Sequence, residues 1–74
     1  MNSFNLEQKS ILNQILINSD EQGVCHTAID RLAHECELTL AKTFSGLESL
    51  KNAGAVEFVK VNSGVAFRVN EVAA

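Results

Sequence analysis

The sequence holds no proline in 74 residues, no low-complexity run and no internal repeat, so its organisation must be read from apolar periodicity and from four glycines. No apolar stretch approaches the roughly 18 residues that a bilayer-spanning helix needs, which excludes a span of that kind. The start, Met1-Asn2-Ser3-Phe4-Asn5, lacks the basic residues and apolar run of a secretion signal. A cytoplasmic protein is therefore expected, with Cys25 and Cys36 as reduced thiols. Positive charge is scarce as well: the net charge is −3. The shortage is uneven, because residues 1–38 sum to −4 while residues 39–74, with Lys42, Lys51, Lys60 and Arg68, sum to +1. That asymmetry turns the second half toward an anionic partner.

Catalytic patterns are missing too. There are no paired carboxylates, no nucleophile beside a base and no phosphate-binding loop, so no enzyme is expected. Cys25, His26, His34 and Cys36 are zinc-ligand types, but His34 and Cys36 lie two apart on a predicted helix and project roughly 200° from one another. Cys36 also falls on an apolar position. Cys25 and His26, as neighbours in an extended segment, point apart and make no nucleophilic pair. Neither a metal nor a cofactor is expected.

What is present fits one domain spanning residues 1–74, with 46% apolar residues and room for a single modest core. Helix 1 is predicted at about 5–19, because Phe4, Ile11, Leu12, Ile15 and Leu16 fall within roughly 140° of a helical wheel. Asn5 or Ser3 serves as its N-cap, and Asp20-Glu21-Gln22-Gly23 ends it. Val24-Cys25-His26 is too short to assign. Thr27, with Asp30 three residues later, predicts the start of helix 2 at about 27–36, whose core positions are Ile29, Leu32, Ala33 and Cys36. Helix 3 is predicted at about 39–53, capped by Thr39, with Thr43, Leu47 and Leu50 inward and a stop near Gly54. Only Glu37-Leu38 separates helices 2 and 3, which forces a steep crossing, the helix-turn-helix geometry.

Beyond Gly54 the apolar period shortens to about 2. Val59, Val61, Val65, Phe67 and Val69 share one parity about Asn62-Ser63-Gly64, predicting a hairpin over about 56–70. A three-residue loop with Gly64 left-handed would set Val61 opposite Val65 and Val59 opposite Phe67. The expected class is α+β: a three-helix winged helix-turn-helix with a C-terminal β-hairpin wing.

The run Leu32-Ala33-His34-Glu35-Cys36-Glu37-Leu38-Thr39, followed by Thr43, Leu47, Leu50, Gly54 and Val56-Glu57, resembles the winged-helix transcription regulators over residues 27–69. Two positions depart from their pattern: Glu37 stands where that family commonly has glycine, and Gly46 occupies the centre of helix 3, at a cost of about 1 kcal/mol relative to alanine. The resemblance implies that helix 3 enters the major groove of duplex DNA and that the wing touches the adjacent backbone or minor groove.

With its core residues inward, helix 3 turns Ala41, Lys42, Ser45, Ser49 and Asn52 outward. Thr39, Ala41, Lys42, Ser45 and Ser49 are the candidate DNA contacts, with Asn52 at the far end. Lys60 and Arg68 have the parity opposite to the apolar strand residues and are expected together on the solvent side of the wing, against phosphate or a narrow minor groove. Leu6 and Ile17 align within about 20° on the far side of helix 1 and form a candidate dimer contact. With so few cations per chain, the expected working form is a homodimer on two half-sites about one helical turn apart. The rival is an acidic winged-helix module that binds another protein, with Leu40 and Phe44 as anchors.

Overall fold

A computed structural model of the chain describes residues 4–62 and 64–70. The elements run α1 (Leu6–Ile17), β1 (Val24–Cys25), α2 (Ile29–Cys36), α3 (Leu40–Asn52), β2 (Val56–Val61) and β3 (Gly64–Val69). The three strands form one antiparallel sheet in the order β1-β3-β2. This is the winged helix-turn-helix layout, α+β, with the hairpin β2–β3 as the wing.

All the helix ends but the start of α2 follow from local chemistry. Asn5 caps α1 through a reciprocal pair: its Oδ1 accepts from the Gln8 N–H at 2.8 Å, and its own N–H donates to Gln8 Oε1 at 2.9 Å. Ser3, the other cap considered, lies outside the described residues. Asp20 closes the turn after α1 by accepting from the N–H groups of Gln22 and Val24 at 2.9 and 3.0 Å. The expected cap at Thr27 is not used. The chain leaves β1 extended as far as Ala28, ψ 154°, which holds the N-cap position without a side-chain bond, so α2 starts two residues later than predicted.

Glu37 ends α2 in the left-handed conformation, φ 56°. Its N–H donates to the His34 carbonyl, and the Leu38 N–H reaches back to the Ala33 carbonyl at 2.9 Å, the paired bonds of a Schellman ending. Leu38 then packs on the core. Thr39 caps α3 by accepting from the Lys42 N–H. Gly54, φ 80°, ends α3 with the same paired bonds, from the Gly54 N–H to Lys51 O and from the Ala55 N–H to Leu50 O.

The core gathers Ile11 and Ile15 from α1, Leu32 from α2, Leu47 and Leu50 from α3, and Cys25, Val56 and Phe67 from the sheet. Each buried aliphatic side chain contributes about 1.5–3 kcal/mol. Among the described residues Thr43 is the buried polar member, satisfied because its hydroxyl donates to the Thr39 carbonyl at 2.9 Å. Leu16 was expected inward but is 57% exposed. Its direction lies roughly 140° from that of Ile11, and the stripe that α2, α3 and the sheet cover is narrower than that. Gly46 is explained by packing, since a β-carbon there would stand 2.5 Å from Ile11 Cδ1. Its helix-propensity cost is what lets α1 and α3 approach.

The hairpin differs from the expected register. Val61 pairs with Gly64, so two residues connect the strands rather than three. Val59 then faces Ala66, Phe58 faces Phe67 and Val56 faces Val69. Because side chains alternate with period 2, a one-residue slip exchanges the faces of β2 relative to β3. The inner face is Val56, Phe58, Phe67 and Val69, while Val59 and Val61 share the outer face with Glu57 and Arg68. Gly64 has φ 139° as a strand residue, and Ser63 lies outside the described residues.

Candidate nucleic-acid interface

The outward set on α3 stands where the periodicity put it: Thr39, Ala41, Lys42, Ser45, Ser49 and Asn52 are all exposed. Their side chains are mostly small, which leaves a slim helical ridge. On one side the ridge borders a shallow polar recess against the start of α1, where Lys42 Nζ lies 3.7 Å from Glu7 Oε2. Lys42 is thus partnered by a carboxylate that a phosphate would have to displace, and both side chains are exposed enough for that exchange.

Lys60 and Arg68 do not stand together. Lys60 pairs across from Val65 on the inner face, whereas Arg68 pairs across from Glu57 on the outer face. Arg68 donates from Nη2 and Nε to Glu57 Oε1 at 2.8 and 3.1 Å, which satisfies much of its charge. The slipped register caused both changes. Leu6 and Ile17 are 79% and 64% exposed.

The structure also brings together residues that the sequence reading kept apart. Phe44 and Leu47 of α3, Ile29 at the start of α2, and Phe58, Val65 and Phe67 of the hairpin line an open apolar groove of about 390 Å³. Phe58 meets Phe67 edge to face at 5.4 Å between ring centroids, and Lys51 Nζ lies 5.2 Å above the Phe58 ring. A signal for this face existed in the alternation Val56-Glu57-Phe58, which runs in the opposite phase to Val59-Lys60-Val61.

Among the described residues no three His, Cys, Asp or Glu side chains cluster so as to hold a metal ion. Cys25 and Cys36 are free thiols; burial, then the Glu35 carboxylate, pushes the Cys36 thiol above its ordinary range. His26 instead lies 3.3 Å from Asp20, whose carboxyl is held below its ordinary value chiefly by the N–H groups of Val24 and Gln22 and secondarily by His26. No helix of the described residues is long and apolar enough to cross a membrane. Compared with protein-family models, curated proteins and solved structures, the chain matches none.

Proposed function

We propose that this protein is a cytoplasmic winged-helix transcription regulator that binds duplex DNA sequence-specifically as a homodimer, with α3 in the major groove and the wing on the backbone. The observation that carries the reading is the outer ridge of α3. It begins at the Thr39-capped N-terminus of α3 and is built of Ala41, Ser45 and Ser49 beside Lys42, all exposed. A ridge of small side chains lets a helix approach base edges in a groove about 12 Å wide. Lys42 and Lys60 supply phosphate contacts, and Arg68 does so when a phosphate replaces Glu57.

The test is selection from a random duplex library at low salt, followed by fluorescence anisotropy of the selected duplex across a salt series. The expected slope of log affinity against log salt is roughly −2 to −7, since each neutralised phosphate contributes about −0.9. Lys42→Ala should flatten it by about one unit per lost contact, while Ser45→Leu should change the preferred sequence. Absence of duplex binding at micromolar protein in low salt overturns the reading. The rival, an acidic winged-helix module for a protein partner, is favoured by one observation, the exposure of Leu40 and Phe44 beside the apolar groove.

A further inference from the structure

Among the described residues two apolar surfaces stand exposed, and they differ in charge. The first is the groove between α3 and the hairpin, whose lining residues are Ala28, Ile29, Phe44, Leu47, Phe58, Val65 and Phe67, none of them polar. Its end at Phe58 is basic: Lys51, from the last turn of α3, sits over the Phe58 ring, and Lys60 of the hairpin shares the inner face with Phe58 and Val65. The end at Ile29 and Phe44 is not, because Asp30 follows Ile29 and Glu48 lies one turn beyond Phe44. An occupant must therefore bring bulky aliphatic groups, with its negative charge directed to the Phe58 end.

The second surface is the C-terminal end of α1. Leu16 and Ile17 are both more than half exposed on the last turn. That turn carries no basic residue, and its Gln14, Ile15 and Leu16 carbonyls are met by Asn18 and Ser19. Asp20 and Glu21 follow after Asn18-Ser19 and are exposed, with Asp20 also accepting from the Gln22 and Val24 N–H groups and lying 3.3 Å from His26. This end of the molecule offers branched aliphatic side chains flanked by carboxylates, which is what the groove requires.

We propose that the groove takes Leu16 and Ile17 of a second copy of this chain, with Asp20 and Glu21 set against Lys51 and Lys60, so that copies associate head to tail. The contact joins two different patches, so each bound pair still exposes one free groove and one free α1 end. Further copies can add, closing into a ring or extending into a row, according to the rotation between neighbours. The inference does not rest on the DNA reading, because neither patch includes the ridge of Ala41, Ser45 and Ser49, but the two share Lys60, which cannot meet a phosphate and a second copy at once. Along DNA it would place copies side by side.

The experiment is analytical ultracentrifugation of the whole chain without nucleic acid, with three proteins: wild type, Leu16→Asp/Ile17→Asp and Phe44→Asp. All substituted positions are exposed, and a well-dispersed NMR spectrum with a retained thermal midpoint verifies folding; Leu16→Gln/Ile17→Gln and Phe44→Gln stand in for any variant that fails. A contact of this size is weak, so the series extends to about 0.5 mM protein. Wild type should grow past the dimer with concentration, and more so at low salt. Each variant alone should remain monomeric. Mixed in equal amounts, the two variants should form heterodimers and nothing larger, because one intact groove meets one intact α1 end. A wild type that stays monomeric overturns the proposal, as does a variant that still self-associates or a mixture that stays monomeric. A groove that captures an added acidic peptide or single-stranded DNA while wild type alone remains monomeric counts on the same side.

Discussion

On one flank of α3, Gly46 lets Ile11 of α1 come so close that a β-carbon would lie 2.5 Å from its Cδ1, whereas on the other flank Phe44, 54% exposed, and Phe58 line an open groove. One helix thus has a side closed by removing a side chain and a side left open by large ones. Close approach packs α3 onto α1 at Gly46 and leaves only a shallow polar recess beside it. The hairpin flank keeps aromatic surface that the chain's own elements do not cover, and unburied apolar area of that kind is what association uses.

The sharpest test of this comparison sets Leu50 against Phe44. Leu50 is fully buried, so Leu50→Ala should lower the unfolding free energy by about 2–5 kcal/mol in denaturant titrations. Phe44→Ala should stay within about 0.5 kcal/mol of wild type, as expected for a residue outside the packed core. Comparable losses would show that the groove is part of the core. The closed flank is probed by Gly46→Ala, which gains about 1 kcal/mol of helix propensity but overpacks against Ile11 at about 1–3 kcal/mol. The expected net is a loss of about 1 kcal/mol. Ile11→Val removes the very carbon in the way, so in that background Gly46→Ala should become neutral or stabilising; additive effects would mean the approach is not what fixes the glycine.

The readable parts of the sequence are those with local causes. Asn5 with Gln8, Thr39 with its helix, and Gly54 after it each act within one turn, so α1 and α3 are close to their predicted spans. The outward set on α3 follows once Thr43, Leu47 and Leu50 are fixed inward. The start of α2 was missed because β1 governs it, and β1 is two residues whose existence depends on pairing with Val24↔Arg68 and Cys25↔Phe67 across the chain. The wing register failed for a related reason. Val56 and Phe58 alternate in one phase, Val59 and Val61 in the other, and only the loop length decides between them. The groove, the separation of Lys60 from Arg68, and the pairings of Lys42 and Arg68 with carboxylates all depend on that register or on contacts between elements distant in sequence.

The smallest expected effect concerns the turn that sets the orientation of both flanks. Glu37 holds φ 56°, ψ 41°, a conformation that costs an L-residue roughly 1–2 kcal/mol and glycine none. Its side chain is exposed and makes no hydrogen bond or ion pair among the described residues, so nothing there offsets the strain. Glycine gives back about 0.5–1 kcal/mol through the greater freedom of its unfolded chain. Glu37→Gly should therefore raise the unfolding free energy by about 0.5–1 kcal/mol, and Glu37→Ala, which keeps the β-carbon, should change it by no more than a few tenths. Both substitutions delete a carboxylate beside the α2–α3 turn, where the proposed binding mode brings phosphates near. Duplex affinity should then rise equally in the two variants while stability rises in one. If alanine stabilises as much as glycine, the gain comes from removing charge and the left-handed turn carries no strain; if affinity follows stability instead, the phosphates do not lie beside this turn.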